Sequence, residues 1–152
     1  MTHFNARTPT PPSPSKGEGE NGKPPTMINA MNHFTIVAED RDATLGYYCG
    51  LLGLREGHRP DLSFPGAWLY PEGSEQAVLH IIFGRPMPAI RTGVIDHLAF
   101  TAYGLAEAKA RFDTAGMRYD LGQQTGSGTW QLFSTDPNGA KVELDFAATE
   151  RL

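Results

Sequence analysis

Three of the five histidines and one glutamate occupy matching places along the chain. His97 follows His33 by 64 residues, and Glu143 follows His80 by 63. Imidazole nitrogens and carboxylate oxygens are donors for borderline divalent ions such as Zn, Fe(II), Ni, Co or Mn. Two of the histidines with the glutamate would form a facial triad, leaving positions for water, substrate or dioxygen. All four would make a fuller site in which one member, His80 or Glu143, is free to move a proton. Taken singly, a strand histidine is most often a hydrogen-bonding residue and a strand glutamate a solvated one. Equivalent placement in a repeat argues against that reading for His33, His80, His97 and Glu143. A metal would also offset the cost of desolvating four such groups on one apolar-walled face.

The elements that must position these side chains repeat as well. Asn32–Ala38 alternates small or polar with apolar residues, the signature of a half-buried strand. Asp40 or Asp42 can cap a following helix, in which Leu45, Tyr48 and Leu52 form one stripe and Gly53 closes the end. Strands are expected at Leu54–His58, Ala67–Tyr70 and Gln76–Phe83, with a turn at Pro71–Ser74. The second pass runs from Ile95–Ala102 through a helix striped by Leu105, Ala108 and Phe112 and closed by Gly116. Strands are then expected at Met117–Leu121, Trp130–Ser134 and Lys141–Phe146, with Asp136–Gly139 as the hairpin turn.

Each half therefore reads β-α-β-β-β, and the fold class is α+β. The two modules span about 31–84 and 94–148 and build a curved mixed sheet within a single domain, 31–148. Strand alternation sends Phe34, Ile36, Leu79 and Ile81 beneath one helix, and Leu98, Phe100, Val142 and Leu144 beneath the other. His33, His80, His97 and Glu143 then share the open face.

Residues 1–30 are expected to form a disordered tail. Six prolines lie among Thr, Ser, Gly, Lys and Glu, with Phe4 the only large hydrophobe before Met27. The net charge of −4 argues against a nucleic-acid or anionic-membrane partner. No apolar run approaches a membrane span, the first thirty residues lack a secretory apolar region, and the single cysteine suits a reducing compartment. A cytoplasmic protein is the expectation.

His3 falls in the tail, and His58, beside Arg59 and Pro60, reads as a loop residue. Cys49 reads as a small buried hydrophobe. Gly122–Gly128 precedes a strand rather than a helix, so it is a loop between strands and not a phosphate cradle. Phe64, Trp68 and Trp130 are candidates for a cleft wall or for core packing. Arg85 and Arg91 stand near the rim, where solvation is the ordinary role of such side chains.

The Ile95–Phe100 opening of the second half and the Asp136-Pro137-Asn138-Gly139-Ala140-Lys141-Val142-Glu143-Leu144 ending resemble the vicinal oxygen chelate superfamily. That group includes glyoxalase I, bleomycin- and fosfomycin-resistance proteins and extradiol dioxygenases. The resemblance implies a homodimer with one divalent metal ion in each U-shaped cleft, chelating vicinal oxygens of a small molecule. His33, His97 and Glu143 match positions the family uses as ligands, and His80 stands where glyoxalase I has a carboxylate that is both ligand and base. The implied activity is dioxygenase-like or lyase/isomerase-like. The alternative is a small-molecule-sequestering protein of the bleomycin-resistance kind, without catalysis. Whether one chain or two would complete each site is open.

Overall fold

The computed structural model describes residues 30–91, 93 and 95–152. The expected Pro-rich tail, including His3, lies almost wholly outside the described residues. Residues 31–152 form one compact unit.

The first module begins with β1 (Phe34–Ala38). Of the two candidate caps, Asp40 serves: its side chain accepts from the Ala43 amide at 2.9 Å and starts α1 (Arg41–Leu45). The helix does not continue in the expected α form. From Gly46 to Leu51 it winds as a π-helix, closed by the Leu52 amide donating to the Tyr47 carbonyl. Gly46 and Gly50 lower the α preference of this stretch. The wider winding sets adjacent Tyr47 and Tyr48 both inward, where an α-helical stripe would bury Tyr48 and turn Tyr47 away.

Three strands complete the module: β2 (Arg55–Glu56), β3 (Gly66–Tyr70) and β4 (Leu79–Phe83). The second module repeats the plan with β5 (Leu98–Thr101), α2 (Leu105–Ala115), β6 (Tyr119–Gln123), β7 (Trp130–Thr135) and β8 (Lys141–Phe146). Several strands are shorter than their sequence patterns suggest. In consequence His33 and His97 each stand one residue before a strand rather than within it. α2 starts at Gly104 without a side-chain cap of its own; Glu150, from the C-terminal segment, accepts from the Leu105 amide at 2.6 Å instead.

In place of one continuous sheet the strands form two four-stranded mixed sheets of identical order, β1-β4-β3-β2 and β5-β8-β7-β6. In each, the first and last strands of the module pair in parallel and the rest are antiparallel. Apolar residues facing the helices form two cores. Tyr48, Leu69, Leu79 and Ile81 anchor one; Leu105, Phe112, Leu132 and Phe146 anchor the other. Val142 of the second module packs into the first core, and Leu51, Leu52, Phe100 and Met117 touch both.

A buried polar clasp joins the modules. The Asp136–Gly139 turn does more than close a hairpin. Asp136 accepts from Tyr48 Oη at 3.0 Å, Asn138 Nδ2 donates to Thr44 Oγ1 at 3.0 Å, and Tyr47 Oη bonds Ser134 Oγ. Burial pushes the Tyr47 hydroxyl up to about 12 and raises Tyr48 further, with the nearby Asp136 charge adding to both. Unfolded tyrosines release their protons near pH 10, while these two keep theirs in the folded chain. Stability is therefore expected to be intact below about pH 10 and to fall as the pH rises from there toward 12. Denaturant midpoints followed by circular dichroism at successive alkaline pH values check this, and Tyr47→Phe is expected to flatten the decline.

Candidate metal centre

The period-2 alternation of β4 buries Leu79, Ile81 and Phe83 and turns His80 to the other face. Its register partners are Thr35 on β1 and Trp68 on β3. The imidazole of His80 lies between two rings. Trp68 stacks on it at 4.0 Å between centroids with planes 3° apart, and His33 stacks on it at 3.9 Å and 20°. His33 Nδ1 is fixed by Asn32 Oδ1 at 2.6 Å, leaving its Nε2 uncommitted among the described residues. His80 Nε2 is buried and has no hydrogen-bond partner among the described residues. Burial holds the His80 ring below its ordinary value, with the charges of His33 and Arg59 adding to the effect.

The second module presents the counterpart. Glu143 on β8 pairs in register with Ala99 on β5 and Phe133 on β7, and is only 4% exposed. Its Oε2 stands 2.6 Å from His97 Nε2, and its Oε1 accepts from Gln131 Nε2. Gln131 Nε2 also reaches Asp145 Oδ1 at 3.3 Å. Burial raises the Glu143 carboxyl above the usual carboxylate range, helped by the neighbouring Asp145 charge and opposed by His97 and Gln131. His97 Nδ1 is anchored by Asp96 Oδ2 at 2.7 Å, which Lys141 Nζ also contacts at 3.1 Å. Both ring nitrogens of His97 thus face a carboxylate, and the contact with Glu143 calls for a shared proton or a cation.

The four residues therefore stand as two pairs, His33 with His80 and His97 with Glu143. The chain does not gather all four. Among the described residues, no three His, Cys, Asp or Glu side chains are grouped to hold one metal ion. The donor chemistry nonetheless fits a divalent ion. His80 carries an orphaned buried nitrogen, and His97 and Glu143 share one contact. Each outer histidine is also oriented through Nδ1, the usual arrangement behind a metal-ligating imidazole.

Asn32 and Asp96, which provide that orientation, are residues that the ligand pattern alone misses. The repeat offset that pairs His33 with His97 also pairs Asn32 with Asp96 and could have found them. Gln131 also falls on the repeat, 63 residues after Trp68 as Glu143 is after His80, but its contact with Glu143 depends on β7 lying beside β8. His58 is exposed and gives only its carbonyl, to Tyr70 Oη at 2.6 Å. Cys49 is half-buried with its thiol pushed up by burial, the state of an unreactive thiol. Trp130 packs against the second core, and its indole nitrogen donates to the Glu150 carbonyl at 3.2 Å. Arg91 bonds the Asn138 carbonyl at 3.1 Å. Of the three candidate wall aromatics, Trp68 is the one stacked on a candidate ligand. Among the described residues no helix is long and apolar enough to cross a membrane.

Two β-α-β-β-β modules, the first turning His33 and His80 and the second His97 and Glu143 away from its core, make a duplicated α+β fold. Residues 30–144 match the Glyoxalase/Bleomycin resistance protein/Dioxygenase superfamily, and the chain belongs to it. Glyoxylase I 4 from Arabidopsis thaliana is 25% identical over 126 residues, covering 79% of this chain and 72% of that protein. Among solved structures, a glyoxalase family protein from Enterococcus faecalis superposes with a TM-score of 0.58 at 26% identity, covering 79% of this chain and 99% of its own. The fosfomycin resistance protein FosX from Listeria monocytogenes gives 0.62 at 15% identity, covering 80% and 95%. The antibiotic binding protein TnmS3 from Streptomyces sp. CB03234 gives 0.60 at 17%, covering 80% and 98%. The last two likenesses concern the fold alone.

Proposed function

We propose that this chain is a divalent-metal-dependent enzyme acting on a small vicinal-oxygen compound, by dioxygenase-like or lyase/isomerase-like chemistry. His33, His80, His97 and Glu143 would hold one ion of Fe, Zn, Ni, Co or Mn per site, with each site completed between two chains of a homodimer in the cytoplasm. The observation that carries this reading is the matched pair of half-sites. Each has a histidine oriented through Nδ1 beside a buried donor, and neither half is sufficient alone. When bound, a divalent ion supplies Lewis-acid stabilisation to an oxyanion on the substrate. The residues around it divide the proton work. Whichever of His80 and Glu143 stays off the ion is the one that moves a proton: burial favours the neutral His80 imidazole, which would then accept at Nε2, and raises Glu143, which would then hold a proton at Oε2. Asp96 and Asn32 fix the rings of His97 and His33, and Trp68 backs His80 against rotation.

Untagged protein is expected to carry about one metal ion per chain by elemental analysis, and His97→Ala to weaken that binding by about 100-fold or more. The second reading, sequestration of a flat compound without catalysis, is favoured by the Trp68–His80–His33 stack. A metal-free wild type that still bound small aromatic compounds would establish it in place of the first.

A further inference from the structure

Between β2 and β3 the chain places Arg59 over the open face of the first sheet. Its guanidinium stands against Gly66, where an added Cβ would first meet the Ile81 carbonyl oxygen at 2.4 Å and then Arg59 Nε and Nη2 at 3.2 Å. Gly66 pairs with Ile82 and lies two residues before Trp68, so this position shares the face of Trp68 and His80. The missing side chain at Gly66 thus opens the floor on which Arg59 rests. Arg59 Nη2 is held by the Phe64 carbonyl at 2.7 Å, and its charge reaches His80.

A second cation converges on the same ring. Arg59 stacks on Phe64 at 5.1 Å from its centroid and Arg85 at 5.2 Å. The ring attracts each guanidinium, and an anion within reach of both would offset their mutual repulsion. Among the described residues neither arginine makes an ion pair with a carboxylate, which they share with Arg55, Arg111, Arg118 and Arg151; what sets these two apart is that both stand over one ring. The anion they would complement is therefore not supplied by the fold around them.

We infer that Arg59 and Arg85, carried on Phe64 beside the Trp68–His80–His33 stack, form a subsite for an oxyanion, either carboxylate or phosphonate, on the substrate's flat body. This rests on the reading of the open face as the substrate site and adds the substrate's charge to it. Guanidinium forks suit both oxyanions, because each offers two oxygens in one plane. Arg59 fixes the anion's distance from His80, and exposed Arg85 acts chiefly as an attracting charge.

The test uses the full chain, with and without added Zn, and calorimetric titration with benzoate, phenylphosphonate and benzyl alcohol. Wild type is expected to prefer both oxyanions to the alcohol. Arg59→Gln should weaken the oxyanions by about tenfold or more, leaving the alcohol within about twofold. Arg85→Gln, an exposed change that leaves the loop intact, should weaken them by about threefold, and added salt should shrink that difference. Preference for phenylphosphonate over benzoate, or the reverse, identifies which oxyanion the fork reads. The inference is overturned if wild type shows no oxyanion preference, or if Arg85→Gln and Arg59→Gln leave that preference unchanged. A chain that takes up no metal yet prefers oxyanions through Arg59 keeps this subsite and loses the metal-dependent reading, so the two fail separately.

Discussion

Replacing Asp136 by alanine is expected to destabilise the chain by about 3–5 kcal/mol, lowering the melting temperature by about 10 °C or more. Asp136 is 4% exposed and its two carboxylate oxygens accept four hydrogen bonds. These come from Tyr48 Oη at 3.0 Å, Asn138 N at 2.9 Å, Asn138 Nδ2 at 3.2 Å and Ala140 N at 2.7 Å. Alanine would take a partner from all four donors, three of them in buried bonds, and an unmade buried bond costs more than a made one gains. The loss would not stay within the hairpin. Tyr48 belongs to the first module, and Asn138 holds Thr44 and the Glu39 amide of that module as well. Tyr48→Phe removes a single donor and should cost about 1 kcal/mol, while Asp136→Asn, which keeps one acceptor oxygen, should fall between the two. Urea unfolding of the three variants measures the series. A cost below about 1 kcal/mol for Asp136→Ala would show that the turn merely closes its hairpin.

That double role marks where sequence reasoning reached and where it stopped. The repeat and the strand alternation were legible, because side-chain direction in a strand depends only on parity. His80 and Glu143 duly leave the core on the face opposite Leu79 and Ile81, or Val142 and Leu144. The Asp-Pro-Asn-Gly run was equally plain as a turn. Its grip on Tyr48 and Thr44 was not, since those partners lie 88 and 94 residues away. The π winding of Gly46–Leu51 was hidden for the same reason. Its apolar stripe fits an α-helix, and the π winding accompanies a bond from Tyr47 to Ser134 across the module boundary that local pattern does not reveal. Arg59 had no signal of its own beyond its charge. Its place over the sheet depends on Gly66, whose missing side chain matters only once β3 lies beside β4.

The separation of the donors into two pairs leads to the second large effect. β1 and β5 are both edge strands, so each exposes backbone groups able to pair with another chain. Met31 and Ile95, at equivalent points just ahead of those strands, are 74% and 71% exposed, the apolar surface expected at a contact still to be made. The open faces also differ in charge. Arg59 stands on the first, while on the second Asp96, Glu143 and Asp145 outnumber Lys141, so a meeting of the first face of one copy with the second face of another sets opposite signs together. Consider a chain with His33→Ala and His80→Ala, and another with His97→Ala and Glu143→Ala. If each site draws one pair from each chain, neither variant alone assembles more than half a site. A mixed dimer then contains one intact site and one empty of ligands. Random reassortment of the two variants should restore about a quarter of the wild-type metal content from nearly none. Sites completed within one chain predict no recovery, because every chain in the mixture lacks two ligands. Co-expression with distinguishable masses, native mass spectrometry to count mixed dimers and elemental analysis of the same sample decide between the two. Mixed dimers that form in quantity and bind no metal would end the shared-site proposal.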